Sequence, residues 1–199
     1  SSDVCSSDLL NNQPMGFYAP ATLIKDARRR GIVVRPVCAA RSEWRCTVGE
    51  DDSLRLGFMQ VEGLRRSSVD AFLAERLRSP FTSLSDFLAR TRFDAAERRA
   101  LAGIGALNAW ADHRRAALWE VERPLRQGEL FEDPSPPMDG SPAPIAASPL
   151  RRMSAAERLQ ADYSHLRLTT GPHPMELIRP RLPTNYWRAS DLPDARGGE

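Results

Sequence analysis

The chain has 199 residues, enough for one or two domains of ordinary size, and 41% of them are apolar, enough for a core in part of its length. Its 28 basic and 26 acidic residues leave a net charge of only +2, so overall charge names no partner, and no apolar run approaches the ~20 residues that cross a membrane. Cys38 and Cys46 are too isolated for a disulfide framework or a metal site, which fits a reducing cytosol and a cytoplasmic location.

Ser1 to Asp8 read as the translation of a DNA string that resembles a sequencing adapter. They have neither the basic start nor the apolar run of a secretory signal and are set aside as a scar, Cys5 with them. Pro20 opens a helix with Leu23, Ile24 and Ala27 on one face, arginines in its last turn and Gly31 as its stop. IVVRPV then reads as a short strand. EWRCTV and LRLGFMQV alternate on either side of GEDDS and read as a hairpin, so residues 9–60 form a small α/β piece.

From Gly63 the period becomes helical. Ser67 or Ser68 can cap a helix with Val69, Phe72, Leu73 and Leu77 on one stripe, ending before Pro80. A second helix starts at SLSD, with Ser83 and Asp86 at capping-box spacing and Leu84, Phe87 and Leu88 facing inward; a third starts at DAAE, where Asp94 and Glu97 repeat that spacing, and runs to Ala102. After GIGAL, Asp112 can cap a fourth, and Trp110 and Trp119 read as core residues. Residues 61–122 thus form one helical unit, which Pro124 ends. Most of the 16 prolines lie from there onward, and residues 123–153 read as a proline- and serine-rich linker. A last helix starts with a Ser154/Glu157 capping box in residues 154–199, and GPHP, Gly171 to Pro174, reads as a turn.

Glycine between short helices lets the backbone approach a phosphate and present amide N–H groups at a helix N-terminus, where the dipole also favours an anion. VEGLRRSSVDAFLAER, Val61 to Arg76, resembles one such helix-hairpin-helix motif, and AGIGALNAW, Ala102 to Trp110, the hairpin of a second. Gly63, Leu64, Arg65 and Arg66 in the first, and Arg98, Arg99, Gly103, Gly105, Arg114 and Arg115 in and around the second, are the candidate DNA-binding residues. Gly63 to Trp119 holds ten arginines against six acidic residues, so this unit is basic within a nearly neutral chain. Such contacts grip the sugar-phosphate backbone and carry no base information. The same pattern also suits ordinary helix caps with solvated arginines. His165 and His173 lack the companions of a metal site, and no acidic cluster could hold the metal ions of phosphoryl transfer, so neither catalytic nor metal-binding residues are assigned.

LLNNQPMGFYAPATLIKDARRRGIVVRPV, Leu9 to Val37, and DYSHLRLTTGPHPMELIRPRL, Asp162 to Leu182, resemble bacterial C-family DNA polymerases, most closely the error-prone, damage-inducible paralogues of the DNA polymerase III alpha subunit. The resemblance runs in family order from Leu9 to about Asp191. It implies a mainly α chain: an α/β remnant of the fingers region, a tandem helix-hairpin-helix unit, a Pro-rich linker and a partial lead-in to an OB domain. Two departures stand out: Cys38, Ala39 and Ala40 follow VRPV where the family usually has an acidic residue and an asparagine, and Glu62 stands where a basic residue is common.

Under this resemblance the parent is a DNA-directed DNA polymerase acting in damage-induced translesion synthesis and repair, with magnesium in a palm that this chain lacks, so the fragment alone is expected to be inactive and to hold no cofactor. DNA is the expected partner. QGELF resembles the peptide that binds the sliding clamp, with Gln127 at the rim and Leu130 and Phe131 in an apolar pocket; a helix-end hydrophobic contact is the other reading. Accessory mutagenesis proteins are further expected partners. The replicative alpha subunit is the nearest alternative identity, and a stand-alone helix-hairpin-helix DNA-binding or clamp-tethering module is an alternative of another class.

Overall fold

The computed structural model describes residues 2–13, 19–49, 51–123 and 150–183, with side chains from Ser7 onward. Residues 127–131, which hold the QGELF peptide, most of the 123–153 linker, Trp187 and Pro14 to Tyr18 of the Leu9–Val37 segment lie outside the described residues.

The chain is mainly helical with one small sheet. Helix α1 (Ser2–Asn11) takes in Ser2 to Asp8 of the residues set aside above, and its Leu10 is buried. Helix α2 (Pro20–Arg29) has proline in its first turn and buries Ile24 and Ala27, and Gly31 follows it at φ +85°. Strands β1 (Val34–Arg35), β2 (Thr47–Val48) and β3 (Leu54–Arg55) form a sheet of order β1-β3-β2. The expected hairpin is there, with β2 antiparallel to β3 and Val48 opposite Leu54. β1 pairs parallel to β3, with Val34 opposite Leu54.

LRLGFMQV does not continue as a strand. A Cβ on Gly57 would lie 2.3 Å from the Arg45 carbonyl carbon, so the backbone of residues 44–45 crosses directly over this position. Beyond it the chain turns into a 3-10 turn (Phe58–Gln60), with Phe58 N–H donating to Glu43 O and Met59 N–H to Trp44 O.

Four helices come next: α3 (Arg66–Arg78), α4 (Leu84–Arg90), α5 (Ala95–Gly103) and α6 (Arg114–Glu122). Ser83 caps α4, and Asp94 and Glu97 form the expected capping box on α5. Other expectations are corrected. Ser67 and Ser68 lie inside the first turn of α3, whose N-cap is Arg65, without a side-chain cap. α6 is capped by His113, whose Nδ1 accepts from Ala116 N–H at 3.0 Å, and not by Asp112. Leu77 is 89% exposed, because the core takes Val69 and Phe72 from α3 and the helix has turned Leu77 outward by its last turn. Trp119 is 43% exposed, whereas Trp110 stacks on Phe87 and donates its indole N–H to Phe81 O.

Helix α7 (Ala155–Leu166) opens with the expected Ser154/Glu157 capping box. The GPHP segment leads directly into a short helix, α8 (Pro174–Ile178), with His173 as its N-cap, and a 3-10 turn (Arg179–Arg181) succeeds it.

Phe72 is the centre of the packing, with ring centroids of Phe58, Phe81, Phe87 and Phe93 all 5.5–5.7 Å from its own. These pairs each add ~1 kcal/mol to ordinary area burial. Buried residues from Leu10 through the sheet and helices to Leu168 form one cluster. Arg76, reaching from α3 to Ala39 O and Ser42 O, and Ala39 N–H, donating to Ala106 O, tie the α/β piece to the helices.

Within this fold Glu97 is 1% exposed and yet ionised. Burial alone would raise its pKa, but its oxygens accept from Arg65 Nε and Nη2, Arg65 N–H and Asp94 N–H at 2.9–3.2 Å, which outweighs burial and holds the group at about 2. A folded pKa below the unfolded value means stabilisation present above the ordinary carboxylate range and lost as pH falls toward the folded pKa. Between the reference value of 4.5 and about 2 this amounts to roughly 3 kcal/mol. Glu97→Gln is therefore expected to lower stability by about 2–4 kcal/mol at neutral pH in urea denaturation, and to flatten the acid limb of the stability curve between about pH 5 and 2. An unchanged acid limb in the variant would refute this role.

Candidate nucleic-acid interface

The first hairpin begins where the 3-10 turn ends. Gly63 adopts φ +80°, a conformation glycine takes without strain, and a Cβ placed there would meet nothing within 4 Å. Glu62 N–H donates to His165 O at 2.7 Å and Arg65 N–H to Glu97 at 3.0 Å, which pins the loop on both sides of the glycine. Leu64 packs against the core, holding the turn down. The Gly63 and Leu64 amides have no acceptor among the described residues.

The start of α3 differs from those of the helices around it. α4, α5, α6, α7 and α8 each start with a side chain accepting from a first-turn amide, and α2 starts with proline. α3 has neither, so the Arg66, Ser67 and Ser68 amides are left for another acceptor. The positive end of its dipole faces the same place. Beside it Arg66 is 67% exposed, with its guanidinium over the Trp44 ring at 5.5 Å and 3.5 Å from Asp70. Arg65 is 59% exposed while bridging Glu97 and Asp94.

The second hairpin has the same backbone and different surroundings. Gly105 also adopts φ +80°, and Ala106 N–H donates to Leu101 O, closing the end of α5. A Cβ on Gly105 would lie 2.8 Å from Arg114 Nε, and one on Gly103 3.3 Å from the His165 ring. Here the missing side chains make room for Arg114 and for α7.

Arg114, 13% exposed, donates from Nη1 to Asp162 Oδ1 at 2.6 Å and to the carbonyls of Gly103 and Arg158. Asp162 is itself buried and takes the Thr169 hydroxyl on its other oxygen at 2.8 Å. Arg115 pairs with Glu157 and donates to Arg151 O, Arg99 pairs with Glu122, and Arg167 pairs with Glu62. Arg98 donates from Nε to Phe93 O.

The structure therefore gathers Gly63, Leu64, Arg65 and Arg66 at one exposed helix start. It places Gly103, Gly105, Arg114 and Arg115 against α7, and Arg98 and Arg99 along α5. The uncapped start of α3 and the stacked Trp44 are the features that sequence reasoning missed. The first was hidden by two serines that looked like caps, the second by a sequence separation of more than twenty positions. Among the described residues no group of three or more His, Cys, Asp or Glu could hold a metal ion, and no helix is long and apolar enough to cross a membrane.

Residues 31–117 match the family model for the helix-hairpin-helix motif. Over 183 residues the chain is 39% identical to an error-prone DNA polymerase of Azoarcus sp. strain BH72, a match covering 87% of this chain and 16% of that protein. It is 40% identical over 178 residues to an error-prone DNA polymerase of Alkalilimnicola ehrlichii, covering 87% and 17%, and 36% identical over 190 residues to one of Pseudomonas syringae pv. syringae, covering 92% and 18%. The chain thus spans less than a fifth of the length of these curated relatives.

Asp162 is the acceptor that neutralises Arg114 in a nearly water-free setting. Asp162→Ala leaves that guanidinium buried without a carboxylate and is expected to destabilise the α7 docking by about 3–5 kcal/mol. Hydrogen exchange checks this: α7 amides lose protection while α3, α4 and α5 keep theirs. Unchanged protection of α7 would show that the pair does not hold it.

Proposed function

Residues 31–117 carry a helix-hairpin-helix motif and the chain is homologous to a segment of error-prone DNA polymerases, from which we propose that it serves as a DNA-holding segment of such an enzyme, in damage-induced synthesis across lesions and in repair. On this reading the first hairpin takes duplex DNA by its backbone. The observation that carries it is the open start of α3: uncapped amides, an unobstructed Gly63, and two exposed arginines at one place. A phosphate oxygen there would accept from the amides along the helix axis while Arg66 adds charge from the side.

Nucleotide addition needs carboxylates holding two metal ions. The described residues contain no such set, so no chemical step is assigned to them. Magnesium and the reacting groups would belong to the palm of the parent polymerase. Clamp attachment through Gln127, Leu130 and Phe131 is a second part of the proposal, supported by the peptide pattern that lies just beyond α6. Leu130→Ala with Phe131→Ala is expected to weaken binding to a bacterial sliding clamp at least tenfold by surface plasmon resonance and to leave duplex binding unchanged; clamp binding that survives both substitutions would remove this part.

The duplex reading predicts salt-dependent, sequence-independent binding of a short DNA duplex by the full chain. Arg66→Ala is expected to weaken it by roughly three- to tenfold near 0.1 M salt and to reduce the slope of log affinity against log salt by about 1. Fluorescence anisotropy at several salt concentrations measures both. Binding by the wild-type chain with no salt dependence, or a variant with the same slope, would count against it.

A further inference from the structure

A groove of about 1040 Å³ runs between α2 and the segment that joins α7 to α8. Helix α2 buries Ile24 and Ala27, and its Lys25, Arg28 and Arg29, at i, i+3 and i+4, line one side of the groove. Arg28 closes the floor by donating to Thr170 O and Gly171 O across the groove. Lys25 and Arg29 have no carboxylate partner among the described residues, and neither does Arg179 on the far wall. Glu176 is the lone carboxylate among the described lining residues, against four cations. The rest of the far wall is largely apolar or aromatic: Tyr163 is 42% exposed there and Met175 41%.

We propose that this groove seats single-stranded nucleic acid, with phosphates along Lys25, Arg29 and Arg179 and a base face against Tyr163. A row of unpaired cations facing an exposed ring is the combination such strands require, because the charge follows the backbone while the ring accepts any base. A duplex keeps its base faces stacked inside and would leave the exposed ring without a base to stack on. The groove also lies on the same body as the first hairpin, since α7 docks one face on α5 and α6 and turns Tyr163 to the groove. The inference rests on the reading that the chain handles DNA, and adds a second, chemically different site to it.

The test uses the full chain, with fluorescein-labelled dT12 and a labelled duplex titrated in parallel. The double variant Lys25→Glu/Arg29→Glu is expected to weaken dT12 binding about tenfold or more and Tyr163→Ala about fivefold or more, with duplex binding changed less than about twofold in both. Thermal melts of each variant confirm that it is folded. dT12 affinity insensitive to both variants overturns the proposal, as does an equal loss on duplex and single strand. Displacement of dT12 by polyglutamate but not by unlabelled oligonucleotide would reassign the groove to an acidic polypeptide. If the wild-type chain binds neither DNA, the proposed function fails with it; if duplex binding stays Arg66-dependent while dT12 ignores the groove variants, only the groove assignment fails.

Discussion

A carboxylate kept ionised inside the helical unit fixes where the first hairpin can be. Glu97 sits at the third position of α5, where a glutamate normally reaches back to its own N-cap, and it does so to Asp94 N–H. The same side chain also accepts three hydrogen bonds from Arg65, the residue before α3. A buried negative charge needs donors around it, and the donors available are the backbone and guanidinium of the first hairpin. The start of α5 and the start of α3 are thereby held together by one group, and the Gly63 turn has no freedom to drift from its place above the core. Without that staple the amides at α3 would still exist, but their direction would not be set.

The two hairpins show that a backbone conformation does not by itself define a ligand. Gly63 and Gly105 share the same φ, and both need glycine for it. What differs is the space a side chain would occupy: open at Gly63, filled by Arg114 and Asn108 at Gly105. The second hairpin uses its close approach to receive a side chain of α6 and the back of α7, with Gly103 against His165. One motif has thus been used twice, once facing outward and once as an internal joint, and only the neighbours decide which.

Local rules made much of this legible in the sequence, and the exceptions are those where a distant partner overrides a local preference. The caps at Ser83, Asp94 and Ser154 follow from residue type and a three-residue spacing, and each is found. Ser67 and Ser68 satisfy the same local rule and fail, because the loop ahead of them is pinned through Arg65 and α3 begins earlier. His113 caps α6 through Nδ1 although histidine is not a preferred cap, and Asp112 beside it does not. The hairpin of β2 and β3 was readable from alternation and turn residues, whereas the parallel pairing of β1 with β3 joins positions about twenty apart with nothing local to announce it. The open start of α3 was unreadable for the same reason as the misplaced cap.

Most of the positive charge in the helical unit is already matched within the fold. Of the ten arginines between Gly63 and Trp119, eight face a carboxylate, and Arg92 and Arg98 do not. A count of basic residues would make this unit a broad DNA-binding face, yet burial divides them. Arg114 is enclosed with Asp162 and cannot leave without stranding a buried charge, so its positive charge is not available to a phosphate. Arg66, two-thirds exposed, holds Asp70 at 3.5 Å in a pair that water and salt already weaken, and exchanging that carboxylate for a phosphate changes little in the fold. The electrostatic footprint of the helical unit is consequently narrower than its composition, lying where an exposed arginine, an uncapped helix and an unobstructed glycine coincide.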